Sequence, residues 1–197
     1  FADTTLFTGN TAEHSGGHIF VEGCVLHLNG FTRFSSSTAG IDGGAIDADT
    51  SEISIEGAAN FTHSVARNGG AIRGANTNIS LSGNVYFVNN TVGSSGGALY
   101  LHKSTAWSGG TTSFHNCTAA ENGGAVYVSG HDAGLNLAGE TYFVFNNANQ
   151  GGAILARSAS NVNITHYTSF VNNTAASGGA VFVSGAGFAV HYYEADA

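Results

Sequence analysis

Proline and methionine are absent from the 197 residues, and lysine plus arginine total only 5. Proline cannot donate to a strand ladder, so its absence suits a chain whose strands are paired on both sides. Five cations against 13 carboxylates leave a net charge of −8. No basic patch exists to neutralise phosphates, which excludes a nucleic-acid binder. Charged residues are 9% of the chain, against about 25% in an ordinary soluble domain. Hydrophobic residues are 42%, too many for an acidic disordered tail, which needs low hydrophobicity. No apolar run reaches the roughly 18 residues of a membrane-crossing helix, so no membrane span is expected. The opening Phe1-Ala2-Asp3-Thr4-Thr5 lacks the charged and apolar regions of a signal peptide. A chain without an initiator methionine is expected to be processed or excised from a longer one. Cys24 and Cys117 are the only cysteines, too few for a disulfide framework or a cysteine-built zinc site.

Glycine, by contrast, occurs 29 times, about twice its usual share. Much of it falls in a repeat. Seven Gly-Gly pairs, each followed by one residue and then an aliphatic one, begin at Gly16, Gly43, Gly69, Gly96, Gly123, Gly151 and Gly178, with spacings of 27, 26, 27, 27, 28 and 27. Eight or nine residues before each pair stands a phenylalanine: Phe7, Phe34, Phe61, Phe87, Phe114, Phe143 and Phe170. Three residues after it comes a small polar position, Asn10, Ser37, Ser64, Asn90, Cys117, Asn146 or Asn173, and two further on a small apolar one, usually alanine. After each glycine pair follow two positions spaced by one, such as Ile53/Ile55, Ile79/Leu81 and Leu135/Leu137. Each unit thus carries three short segments alternating with period two, which is the strand signal, and nothing with helical periodicity.

Three strands per 27-residue unit, joined by Gly, Asn and Ser turns, predict one rung of a parallel β-helix. The expected fold is therefore all-β: one single-stranded parallel β-helix, a solenoid of about seven rungs spanning roughly residues 7–190 within a single domain, 1–197. Right-handed winding is the expectation, because parallel crossover connections are right-handed in about 98% of cases. Rungs stacked about 4.8 Å apart turn each strand position into a column along the rod. The column Ile19, Ile46, Ile72, Leu99, Val126, Ile154, Val181 is expected in the core, and Phe20, Asp47, Arg73, Tyr100, Tyr127, Leu155, Phe182 outside it. The Asn/Ser column after each phenylalanine is expected to form a buried or turn-lining ladder, as stacked amides do. Cys24 and Cys117 lie more than three rungs apart, beyond the roughly 7 Å limit for a bridge, and are expected unpaired.

The motifs Gly123-Gly124-Ala125-Val126 and Phe170-Val171-Asn172-Asn173, repeated along the chain, resemble the repeat of chlamydial polymorphic outer membrane proteins, which also occurs in other microbial surface proteins. The resemblance covers Phe7 to Val190; His18 departs from the usual alanine, and several Asn positions hold Ser or Cys. It implies a surface-exposed β-helical passenger with adhesive roles, extracellular or on the cell surface. In that family the passenger precedes a membrane β-barrel, and no barrel-like segment occurs in these residues.

Enzymes that cut or eliminate polysaccharides also use parallel β-helices, and their sites need carboxylates for acid–base work. The densest acidic run is Asp42, Asp47, Asp49, Glu52 and Glu56, with Arg73 one rung away. No carboxylate pair recurs in a fixed column, and rungs of 26 to 28 residues leave no insertion for a cleft, so solvating surface charge is the better reading. The histidines, including His14 and His18, do not share a ligand geometry, and no metal or cofactor is expected. The leading function is non-enzymatic, a structural or adhesive β-helix module of a surface protein or head-to-tail fibre. The alternatives are a carbohydrate-active enzyme or a carbohydrate-binding module.

Two sets of surface residues are candidate sites. Six Asn-x-Ser/Thr sequons stand at Asn60, Asn78, Asn89, Asn116, Asn163 and Asn172, acceptors for N-glycans in a secretory pathway. Asn89, Asn116 and Asn172 share one outward column. Phe20, Tyr100, Tyr127 and Phe182 form an outward aromatic column able to meet a partner or extracellular glycans. Solenoids normally close their ends with atypical polar repeats; no cap is legible here, save the short tail Tyr192-Tyr193-Glu194. The expected partners are accordingly further rungs of the same polypeptide or other copies of the chain, stacked end to end.

Overall fold

The computed structural model describes residues 4–191, and every regular element among them is a β-strand. Every strand pairing is parallel, and each strand finds its partners one repeat before and one repeat after it. In the third rung the strands are Ala59–Thr62, Val65–Asn68, Ile72–Ala75 and Asn78–Leu81. Stacking seven such rungs generates three 7-stranded sheets and one 5-stranded sheet, here called the phenylalanine, short, post-glycine and closing sheets in rung order. The seven-rung solenoid with a 27-residue period is thus as the repeat predicts. The tail Tyr192-Tyr193-Glu194 and the opening Phe1-Ala2-Asp3 lie outside the described residues.

The short sheet adds a fourth strand to the rung. Its members are as brief as Thr38–Ala39 and Thr118–Ala119, and in the last two rungs only single bridges at Asn147 and Thr174 remain. Two residues cannot display an alternation, so this segment is hidden in the sequence behind the turn that follows each phenylalanine.

Register is strict in the phenylalanine sheet: Phe87 lies against Phe61 on one side and Phe114 on the other. The rings form one ladder through the core, with neighbouring centroids 4.6–5.0 Å apart from Phe34 to Phe143. The rung pitch imposes this spacing, because each ring is carried by a strand hydrogen-bonded to the next. The aliphatic columns of the post-glycine and closing sheets, including Ile46, Ile72, Leu99, Ile53, Ile79 and Leu81, fill the rest of the core. The alanine column of the short sheet forms its own small cluster, Ala39, Ala66, Val92, Ala119 and Ala148.

The glycine pairs divide two tasks. The first residue of each is left-handed, as at Gly123 (φ 58), where a side chain is strained. The second has an ordinary φ and, in every rung but the last, no room: a Cβ on Gly97 would run into the carbonyl oxygen of Gly124 in the next rung. A further glycine column, Gly57, Gly83, Gly110 and Gly139, has the same cause at the corner after the closing sheet, where a Cβ would meet the glycine carbonyl of the rung before.

The polar column behind the phenylalanines is a buried ladder where it holds asparagine. Asn146 accepts from the Cys117 amide at 2.9 Å and donates to the Phe114 carbonyl at 3.0 Å. Asn90 does the same for the Ser64 amide and the Phe61 carbonyl. Each side chain thus satisfies two backbone groups of the preceding rung at a tight corner. Where serine stands instead, the Ser37 and Ser64 hydroxyls are buried without a partner. Cys117 is buried and free, and Cys24 is exposed and free.

Candidate functional site

Three outer surfaces carry the chemistry-bearing residues. On the post-glycine sheet, strand register places Phe20, Asp47, Arg73, Tyr100, Tyr127, Leu155 and Phe182 in one column. Asp47, 2% exposed, accepts from the Arg73 guanidinium at 3.0 Å, and Asp42 sits 3.7 Å from the same side chain. Asn68 donates to Asp42 at 2.9 Å. Burial pushes the Asp47 carboxyl above its ordinary range, against the opposing pull of Arg73. The acidic run of the sequence is therefore divided. Asp42 and Asp47 are engaged with one arginine, Asp49 accepts from Thr50, and Glu52 and Glu56 are exposed on the closing sheet and the corner after it. Among the described residues no group of three or more His, Cys, Asp and Glu is placed to hold a metal ion.

Two rungs further, Tyr100 and Tyr127 stack with centroids 4.9 Å apart. Arg157 lies 5.1 Å over the Tyr127 ring and donates through Nε to its hydroxyl at 2.7 Å. Tyr127 is left 4% exposed, whereas Phe20 is 55% exposed and stands alone in the first rung; Tyr100 and Phe182 are half-buried. The four aromatics share a column but not an open surface. Tyr127 is roofed by its own neighbours, because a long side chain from the adjacent column folds back over it.

The second surface is the ridge after the phenylalanine strands, where Ser36, His63, Asn89, Asn116, Phe145 and Asn172 all adopt left-handed φ of 52–57°. Asparagine tolerates this conformation better than most residues, which accounts for its recurrence there. Asn116 donates to Asn89 at 2.8 Å, and the Asn89 amide nitrogen lies 3.2 Å from the His63 ring. Of the sequons, Asn78, Asn116 and Asn172 are exposed and Asn60, Asn89 and Asn163 half-buried. Asn163 donates to Asn136 at 2.9 Å, and Asn78 accepts from Thr105 at 2.8 Å.

The third surface escapes the sequence reading. Tyr86 (39% exposed), Trp107 (43%) and Tyr167 (60%) all flank the corner between the closing and phenylalanine sheets, Tyr86 one rung before the Trp107 corner and Tyr167 two rungs after it. Alternation around Ala106 and Ser108 places Trp107 outward, so the signal for it was present in the weakest copy of the third segment.

Geometry and motif define the class: a parallel β-solenoid in which a Gly-Gly turn and a phenylalanine–asparagine corner recur in each rung, with substitutions at individual positions. Residues 78–102 match the model of the Chlamydia polymorphic membrane protein repeat, a stretch that runs through Phe87, Asn90 and Gly96-Gly97-Ala98-Leu99. The chain therefore carries a repeat of the polymorphic membrane protein type on a β-solenoid. No curated protein and no solved structure matches the chain. Among the described residues no helix is long and apolar enough to cross a membrane.

Proposed function

We propose that this chain is a non-enzymatic structural or adhesive module, displayed at a cell surface as part of a β-helical rod. The observation that carries the reading is the polymorphic membrane protein repeat at residues 78–102, whose two motifs recur in register through all seven rungs. The engagement of Asp42 and Asp47 by Arg73 weighs against the lyase or hydrolase alternative, since a general acid or base must be free to meet substrate. Antibody labelling of intact source cells tests the location: surface label on unpermeabilised cells is expected, and label only after permeabilisation would overturn it.

Two further features belong to the same proposal. Phe188 (39% exposed) and Val190 (65%) in the seventh rung continue the buried column positions of Val162 and Ile164 yet are open, which favours partners that stack on the rung edges, whether rungs of the same polypeptide or other copies of the chain. Sedimentation and electron microscopy should show end-to-end particles for the isolated chain; compact monomers at all concentrations would remove self-stacking. Among the sequons, Asn78, Asn116 and Asn172, all exposed, are the best placed for N-glycans if the chain enters a secretory pathway, and intact-mass measurement on secreted protein reads their occupancy.

A further inference from the structure

On the phenylalanine sheet the inner column is an unbroken row of rings, whereas the outer column is mixed. Inside, Phe87, Phe114 and Phe143 stack without interruption at 4.9 and 4.8 Å. The residues immediately before them form the outward column: Tyr86, Ser113 and Tyr142, in register across three successive rungs. Two tyrosines therefore stand two rungs apart, about 9.6 Å, with a serine where the middle ring would be. Where tyrosines do occupy adjacent rungs, as Tyr100 and Tyr127, they stack at 4.9 Å. In this row of outward positions Ser113 leaves one place without a ring, with its hydroxyl at the base.

Trp107, the only tryptophan, stands across the adjoining corner. Its benzo ring covers Gly109, where a Cβ would run into it. The chain then turns through Gly110 and Thr111 into the strand Thr112–His115 that carries Ser113. Tyr167 flanks the same corner two rungs on, 5.9 Å from Tyr142. Around the gap are hydrogen-bonding groups: Asn84, which accepts from the Thr111 amide at 3.4 Å, and Glu140, which accepts from the Tyr142 hydroxyl at 3.2 Å.

We propose that this corner binds a neutral oligosaccharide, with one pyranose seated over Ser113 between Tyr86 and Tyr142 and an adjoining sugar on Trp107. A pyranose offers apolar C–H faces to aromatic rings and hydroxyls at its rim, and Tyr and Trp join an apolar body to a polar tip. The floor is polar, which suits a sugar better than the fully apolar ring of a partner side chain. No lysine or arginine stands among these groups, so the site lacks the cations that acidic glycans require. The inference goes beyond the surface-module reading and does not depend on it, because purified chain is the reagent; sugar binding by a chain that proves internal would overturn that reading alone.

Trp107 is its own reporter. Titration with cellohexaose, chitohexaose, mannohexaose and maltohexaose should give a saturable change in tryptophan emission with at least one of them. By calorimetry with that sugar, Tyr86→Ala and Tyr142→Ala should each weaken association at least tenfold, with the thermal melt little changed, while Val25→Ala, at an exposed position of the first rung, leaves it unaltered. Ser113→Tyr fills the gap with a third ring, and is expected to keep the fold and abolish binding. No saturable response to any of the four sugars, or binding that survives Ser113→Tyr in a folded protein, overturns the site. Preference for a tyrosine- or tryptophan-bearing peptide, lost in the same variants, overturns the ligand assignment.

Discussion

Replacing Phe87 by alanine is the sharpest probe of how the solenoid is held together. The side chain is fully buried, between Phe61 at 5.0 Å and Phe114 at 4.9 Å. Removing it deletes transfer free energy and opens a cavity whose walls are pinned by strands in strict register, so little collapse is available. Phe→Ala in such a site costs about 3–5 kcal/mol, a large part of the roughly 5–15 kcal/mol that stabilises a whole domain. Phe7→Ala, in the half-buried first rung, should cost less than half as much. In a solenoid each rung contacts only its neighbours, so the Phe87 lesion also weakens coupling between the rungs on either side. Urea unfolding followed by circular dichroism measures the loss, and hydrogen exchange locates it. Equal losses for Phe7→Ala and Phe87→Ala, or a loss below about 1 kcal/mol at Phe87, would refute the account of the ladder as the source of cohesion.

Ser64→Asn should stabilise by about 1 kcal/mol in the same assay, because the new side chain can bond the Ser37 amide and Phe34 carbonyl as Asn146 bonds its own neighbours. Thiol titration with a disulfide reagent at pH 8 should detect only Cys24 in the folded protein and both cysteines in denaturant. Burial raises the Cys117 thiol to about 12, so thiolate is scarce there, and an immediate second equivalent would contradict its burial. Stability should fall as pH drops below the ordinary histidine value of 6.5, because burial lowers the His18 pKa and the unfolded chain then binds the proton more readily. His18→Ala, the residue found at this position in the next rung, should flatten that dependence in melts between pH 7.5 and 5.

The core was legible in the sequence because the repeat stacks each position on its own kind. Phenylalanine on phenylalanine and aliphatic on aliphatic are readable wherever the spacing of 26 to 28 holds. The glycine pairs were legible as corners, but their division into one residue with left-handed φ and one without space needed the neighbouring rung's carbonyl. The short sheet was not legible, since pairs such as Thr38–Ala39 are too brief to alternate. Outer surfaces were the hardest. Alternation says which residues point away from the core, not which of them stay open, and Arg157 closing over Tyr127 is a long-side-chain event with no sequence signature. Trp107 and Tyr86 lay outward by the same rule and remained open, because small residues surround them: Ser80 and Asn136 beside the first, Asn60 and Ser113 beside the second.

Every strand pairs with one about 27 residues away and never with a distant part of the chain. Adding a rung therefore closes one loop of constant length, an entropic cost of about 3 kcal/mol that does not grow as the rod lengthens. A single rung has no neighbour to bury its ring against, whereas each later rung finds one already in place. Such a chain can assemble in the order in which it emerges from a pore, each completed turn serving as the template for the next, without waiting for its far end.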